Sequence, residues 1–312
     1  MKILFSADWH IKLGQKNVPV EWARNRYLAL FDKLHSLEDT CDIHIIGGDI
    51  FDKLPSMEEL ELYYEFISLV KIPTFIISGN HEALKKDTTF LSNLKKSTNW
   101  VNNKVIIIDD FMSIDNIDFI PYNRLKSYTP QDYDFHGNIL CTHVRGEIPP
   151  HVKPEVPLEL FDRWQLVLAG DLHSYSNSQR NILYPGSPLT TSFHRELVKT
   201  GVLIVDSETL EHEWIVLNLP QLLRKTILAG EDMVPSEFHH TIYEVEGDMS
   251  TLSSVENSEL LDKKIVKRSS DTSLILTNDM SMQDELTDYL RYILNLDEDT
   301  VTRVLTEFKK HE

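Results

Sequence analysis

From residue 2 to about 217, short apolar runs alternate with amphipathic stretches. Seven runs of strand length are rich in Ile, Leu or Val: Lys2–Ser6, Asp42–Ile46, Pro73–Ile77, Lys104–Ile108, Asn138–Cys141, Gln165–Ala169 and Gly201–Val205. Between them, Trp22–Leu37 and Met57–Val70 space their apolar residues three and four apart, which predicts helices. This alternation predicts an α/β domain whose strands are buried under flanking helices. Residues 149–157 hold four prolines in nine positions and predict an irregular loop. Past Pro220 the pattern reads strand (His240–Val245), helix (Ser250–Leu261) and strand (Ser273–Leu276). From Ser281 it reads as two helices, one with a stripe of Met282, Leu286, Tyr289, Leu290, Ile293 and Leu294, the other with Val301, Val304, Leu305 and Phe308. The divisions expected are 1–217, 218–280 and 281–312.

The polar residues that end five of these runs carry the chemistry. Ile3-Leu4-Phe5 runs into Asp8 and His10, Ile43–Ile46 into Gly48-Asp49, and Phe75-Ile76-Ile77 into Asn80-His81. Leu140-Cys141 runs into His143, and Leu166-Val167-Leu168 into Asp171 and His173. In α/β sheets, ligands bind beyond the carboxyl ends of strands, so these five ends are expected to converge. They offer carboxylate, amide oxygen and imidazole but no thiolate, a set suited to Mn²⁺, Fe, Zn²⁺ or Mg²⁺. Seven such ligands exceed one four-coordinate ion and suit two ions sharing a carboxylate, an arrangement that clamps a phosphoryl group and activates a water.

Charge and cysteine content narrow the setting. The 312 residues carry 49 acidic against 31 basic side chains, a net charge of −18. That argues against a general nucleic-acid binder unless metals or a basic partner reverse the sign locally. Two cysteines, Cys41 and Cys141, exclude a disulfide framework and point to a reducing, cytoplasmic setting. The N-terminal apolar stretch ends at Asp8, too short for a signal peptide, and no run approaches the roughly 18 apolar residues of a membrane span.

The motifs Asp8-x-His10, Gly48-Asp49-x-x-Asp52, Gly79-Asn80-His81-Glu82, His143 and Gly170-Asp171-x-His173 resemble the calcineurin-like metallophosphoesterase superfamily. Gly47–Asp52 and Tyr184-Pro185-Gly186-Ser187-Pro188 narrow the resemblance to the SbcD family, the nuclease subunit of SbcC–SbcD (Mre–Rad) complexes, with short phage-encoded members. The resemblance implies a metallophosphoesterase β-sandwich flanked by helices, with a small α+β capping domain and a C-terminal helical pair. It implies a two-metal exonuclease, also an endonuclease, for DNA repair and recombination, using Mn²⁺ or Mg²⁺. Asp8, His10, Asp49 and His173 would hold one ion, and Asp49, Asn80, His143 and Asp171 the other. His81 would serve as general acid or charge stabiliser, with Asp52 hydrogen-bonded to it. The implied partners are DNA, a second copy within a heterotetramer, and a coiled-coil ATPase bound through 281–312, a segment with eight acidic and four basic residues. One departure is Asp171, where the family usually has histidine.

Other readings stay open at this stage. Asp52 could instead cap a helix. The same fold could be a stand-alone phosphatase or nucleotide phosphodiesterase, or a non-catalytic scaffold. The basic run Lys263–Arg268 fits DNA-backbone contact or a guarded strand edge. Arg124, Lys126, Arg145, Arg180 and Arg195 lie in loops where any could meet phosphate. His194 could line the substrate path or sit on the surface. The terminal helices could cap the chain's own core. Apolar positions near Tyr63, Tyr64 and Phe90 are expected at the surface, where a second copy could dock.

Overall fold

The computed structural model describes residues 1–85, 87–131, 133–266, 280–294 and 296–309. Two sheets face each other. The first has six strands: β1 (Lys2–Ser6), β2 (Ile43–Ile46), β3 (Thr74–Ile77), β6 (Val105–Ile108), β12 (Thr200–Asp206) and β13 (His212–Leu217), in the order β13-β12-β1-β2-β3-β6. β1, β2, β3 and β6 run parallel, with Phe5 opposite Ile45 and Ile45 opposite Phe75. β12 and β13 join antiparallel beyond β1. The second sheet is β7 (Met112–Ile114), β8 (Ile117–Ile120), β9 (Ile139–His143), β10 (Leu166–Gly170) and β11 (Ile182–Leu183), in the order β11-β10-β9-β8-β7. A short hairpin, β4 (Ala83–Lys85) and β5 (Thr88–Thr89), follows β3.

Strand alternation divides the core. Ile3, Phe5, Ile45, Phe75 and Ile77 point between the sheets, against Phe119, Ile139, Cys141 and Leu168. Leu4, Ile46, Ile76 and Ile107 point the other way, under helices α1 (Val20–Glu38), α2 (Met57–Leu69) and α3 (Leu91–Val101). The far face of the second sheet carries Leu140, Val167 and Ala169 and is covered by loops bearing Phe135, Phe161 and Trp164. The short helix α4 (Tyr122–Leu125) adds Leu125 there. Both cysteines are buried, free thiols, and burial pushes the Cys141 thiol up. Tyr63 and Phe90 are buried and Tyr64 half-buried, contrary to the exposure expected of them. Among the exposed apolar side chains of that region are Met57, Leu54 and Trp100.

The chain divides into two compact units, one of 1–225, 233–243 and 259–262, the other of 226–232, 244–258 and 263–312. A three-stranded sheet in the order β14 (Leu222–Leu228), β15 (His240–Gly247), β16 (Leu261–Val266) has residues in both. The helix expected over Ser250–Leu261 is only α5 (Met249–Ser253). Ser253 and Ser254 turn their hydroxyls back onto the carbonyls of Ser250 and Thr251, a local bond that competes with helix propagation. Residues 261–266 then pair as a strand. The strand expected at Ser273–Leu276 lies outside the described residues. In the second unit, α6 (Met282–Asp288) starts on a capping box between Ser281 and Asp284, continues as one π-helical stretch to Ile293, and is followed by α7 (Glu298–Phe308). Leu290 and Val301 are its buried stripe residues, while Met282, Tyr289, Leu294 and Val304 stay exposed. Among the described residues, no helix is long and apolar enough to cross a membrane.

Candidate metal centre

The five strand ends meet, three from the first sheet and two from the second. Beyond β1 and β2 the backbones stay zipped: Asp8 N–H donates to the Gly48 carbonyl (3.0 Å) and His10 N–H to the Asp49 carbonyl (2.9 Å). Asp8, His10, Asp49 and Asp171 all have positive φ, between 47° and 104°. Such conformations cost on the order of 1–3 kcal/mol each and persist where surrounding structure enforces them. Glycine is required beside them. Gly48 has φ +91°, and a Cβ there would lie 2.6 Å from the Gly79 nitrogen; a Cβ on Gly79 would lie 2.1 Å from Asp49 Oδ1.

The ligand atoms of Asp8, His10 and His173 lie within 4.8 Å of one another, as do those of Asp8, Asp49 and His143 and those of His10, Asp49 and His81. His143 donates from Nδ1 to the Gly47 carbonyl (2.8 Å), which turns its Nε2 to the cluster. His10 and His173 turn their Nε2 atoms towards each other at 3.0 Å, and His10 Nδ1 is buried with no hydrogen-bond partner. The Asn80 carboxamide places one heavy atom 2.8 Å from His143 Nε2, 3.3 Å from Asp49 Oδ2 and 3.2 Å from Asp171 Oδ1. With its oxygen there, Asn80 completes a ring of acceptors around the space a cation would fill. These residues therefore fit divalent cations, on the donor chemistry and on the acceptors left facing one another.

Burial and crowding set the protonation pattern. Burial and the neighbouring His173, His81 and His143 hold the His10 imidazole down at about 2, neutral as a ligand must be. Burial opposes the charge of His143, but Asp49, Asp8 and Asp171 outweigh it and raise it to about 9. Burial raises Asp8 well above the usual carboxylate range, with Asp49 adding to the effect.

Several residues outside the ligand set hold it in place. Glu82, fully buried, accepts N–H bonds from Asp49 (3.0 Å), Phe51 (3.1 Å) and Gly79 (2.7 Å), tying the ends of β2 and β3 together. Burial and Asp49 push its carboxyl up to about 7. Glu82 belongs to the sequence motif, but the motif alone assigns it no task. Ser187 donates to the Asp8 carbonyl (2.7 Å), so Tyr184–Pro188 acts as a brace. Tyr27 of α1 donates to the His10 carbonyl and accepts from Lys12 N–H (3.0 Å).

Asp52 is positioned differently from expectation. His81 Nδ1 does bond to residue 52, but to its main-chain carbonyl. The Asp52 carboxylate pairs with Lys12 Nζ at 2.8 Å and approaches His10 Nδ1 only to 3.8 Å. His81 Nε2 lies 3.9 Å from Asp49 Oδ2. His194 and Lys199 line a cleft of about 190 Å³ that reaches His173 and Thr191. Of the basic run, Lys263 pairs with Glu244 (2.9 Å) and Lys264 donates to the carbonyls of Leu252 and Val255, while Lys267 and Arg268 lie outside the described residues. Arg124 is engaged by Asp110 and Arg180 by Asp162, whereas Arg145 reaches Asp171.

Residues 1–181 match the calcineurin-like phosphoesterase family. Over 323 aligned positions the chain is 45% identical to "Probable exonuclease subunit 1" of Escherichia phage T5, covering all of this chain and 98% of that protein. It is 25% identical to the SbcD member of the SbcCD nuclease of Staphylococcus epidermidis, over 67% of this chain and 66% of that one. With acceptors, imidazoles and strained turns gathered at five strand ends, and with these likenesses, the chain belongs to the calcineurin-like phosphoesterase family.

Proposed function

We propose that the chain is a two-metal DNA nuclease, acting as exonuclease and endonuclease, and the nuclease component of an SbcC–SbcD-like repair and recombination complex. The observation that carries this is the pair of overlapping groups, Asp8–His10–His173 and Asp8–Asp49–His143, with Asp49 Oδ2 lying 3.7 Å from His10 Nε2 and 3.6 Å from His143 Nε2. In this reading Asp8, His10, Asp49 and His173 hold one ion; Asp49, Asn80, His143 and Asp171 hold the other. When bound, two divalent cations supply an activated water and neutralise charge growing at phosphorus. Three carboxylates favour oxygen-loving Mn²⁺ or Mg²⁺. His81 keeps Nδ1–H on the Asp52 carbonyl, so in its cationic form Nε2–H is the proton delivered to the leaving alkoxide. Likeness to proteins named as nuclease subunits supports DNA as substrate and a partner ATPase. The exposed apolar side chains of α6 and α7 offer that ATPase a surface, and Met57, Leu54 and Trp100 offer one to a second copy.

The test is Mn²⁺-dependent cleavage of end-labelled linear DNA by the full chain, with and without its ATPase, beside Asp49→Ala and His81→Ser. The expected result is cleavage lost in both variants. Wild-type protein that leaves DNA intact under both conditions while hydrolysing a chromogenic phosphomonoester would overturn it in favour of a small-substrate phosphatase.

A further inference from the structure

Arg145 sits just past the end of β9, half exposed at the rim of the cluster. Its Nε lies 3.2 Å from Asp171 Oδ2 and its Nη2 3.3 Å from Asp171 Oδ1. Its own main-chain N–H is tied to Glu155 Oε2 (3.1 Å), which fixes the loop that presents it. Asp171 is thus addressed from two sides. The guanidinium takes both oxygens from outside, while Oδ1 faces inward, 4.0 Å from His143 Nε2 and 3.2 Å from the Asn80 carboxamide. The Asp171 side chain is 6% exposed. With two divalent cations bound, Asp8, Asp49 and Asp171 would set three negative charges against four positive ones, and the Arg145 guanidinium beside Asp171 offsets one of the three.

We propose that Arg145 and Asp171 form one charge-neutral ligand unit, in which the guanidinium cancels the carboxylate charge from outside while the inward side of Oδ1 stays open to the cation. This rests on the two-cation reading of the cluster. The pair carries the net charge of a neutral imidazole while presenting a harder, oxygen donor. Arg145 is then a positioning and charge-setting residue: it acts through Asp171, and it keeps the loaded site positive enough to attract a phosphodiester. A forked arginine suits this task because it holds both oxygens in plane and stays cationic.

The test is calorimetric titration of Mn²⁺ into the full chain at fixed pH, for wild type, Arg145→Gln, Arg145→Lys, Asp171→His and the double variant Arg145→Gln/Asp171→His. Arg145→Gln keeps a hydrogen bond and removes the charge, so Mn²⁺ should bind about tenfold tighter. Arg145→Lys should return the affinity to within about threefold of wild type, because the charge is restored without the fork. Asp171→His should also stay within about threefold, because Arg145, 46% exposed and freed of its carboxylate, moves its charge into solvent and leaves a neutral ligand where a neutral pair stood. In that background Arg145 loses its anchor to solvent, and Arg145→Gln should change the affinity by less than about twofold. Arg145→Gln that weakens Mn²⁺ binding, or shifts it by the same factor in both backgrounds, would overturn the proposal. So would Asp171→His that weakens binding more than tenfold, a measurement that stands even where Arg145→Gln fails to fold. Asp49→Ala serves as the control on the underlying reading. If it binds Mn²⁺ as wild type does, the two-cation site itself is wrong, a result separable from any behaviour of Arg145.

Discussion

Two buried clusters of imidazole and carboxylate share strands β1 and β2, and they differ in one respect. In the first, Trp9 Nε1–H donates to Ser6 Oγ (3.1 Å), Ser6 lies 2.9 Å from His44 Nε2, and His44 and His35 each reach a different Glu38 oxygen at 2.9 Å. Ser6, His44 and Glu38 are at most 1% exposed. The chain Ser–His–Glu has the composition of a nucleophilic triad, yet Ser6 is sealed under the sheet and both Glu38 oxygens are spoken for. The second cluster begins at Asp8, two residues on. There the backbone turns to positive φ, His10 and His173 bring their Nε2 atoms to 3.0 Å of each other, and His10 Nδ1 has no partner. Residue type does not separate structural from functional polar groups here. Pairing and charge do: in the first cluster Ser6, His44 and both Glu38 oxygens are hydrogen-bonded, although His35 Nε2 is left unpaired, whereas in the second Asp8, Asp49 and Asp171 crowd one another around the imidazoles.

The comparison is broken most directly at Asp49. Asp49→Ala should lower Mn²⁺-dependent phosphodiester hydrolysis by more than about 10³-fold, because both ions lose a ligand. Its melting temperature should fall only modestly, because the His81 N–H loses its acceptor on Asp49 Oδ1 (2.9 Å) while repulsion with Asp8 and Glu82 is relieved; calorimetry beside the kinetic assay checks both. A deeply destabilised Asp49→Ala would place that residue with the structural cluster instead.

Glu82 stands between the two classes, satisfied itself and holding Asp49. Glu82→Ala frees three N–H groups at the strand ends, so hydrolysis should drop about 10- to 100-fold, and Mn²⁺ titration should show weakened binding. Unchanged binding with lost activity would assign Glu82 to the chemistry.

Glu38 sharpens the contrast from the other side. Burial pushes its carboxyl up, but hydrogen bonds and charge from His35 and His44 outweigh it and hold it at about 2, against 4.5 for an ordinary glutamate. A depressed carboxyl contributes stability that is present above the unfolded value and lost as pH falls towards the folded one. The window is therefore between about pH 4.5 and 2, and the contribution is on the order of 3 kcal/mol. Glu38→Gln should flatten that part of the stability–pH curve in denaturant titrations while leaving hydrolysis within about threefold of wild type. The smallest effect belongs to Asp52→Asn. Because the residue's carbonyl holds His81, turnover should change by less than about threefold; a loss as large as that of His81→Ser would return the role to the carboxylate.

Much of this was legible in the chain. All seven apolar runs are strands, because strands buried on both faces write themselves as continuous Ile, Leu and Val. The gathering of Asp8, His10, Asp49, Asn80, His143, Asp171 and His173 was legible too, since each sits within a few residues of a strand end. What was not legible depends on long-range or main-chain partners. Asp52 contributes a carbonyl, which residue identity does not encode. Glu82 gains its role only when β2 and β3 lie side by side. Nothing in a row of five loop cations distinguishes Arg145 until β9 and β10 bring it to Asp171. The surface expected near Tyr63 and Phe90 is not found there because Tyr63 of α2 and Phe90, at the N-cap of α3, both pack against Phe51.

The most direct measurement is the stoichiometry of Mn²⁺ bound to the full chain, in wild type, Asp49→Ala and Glu38→Gln. Two ions per chain are expected in wild type and in Glu38→Gln, and fewer than two in Asp49→Ala. Two ions retained in Asp49→Ala, or none in folded wild-type protein, would contradict the two-cation centre.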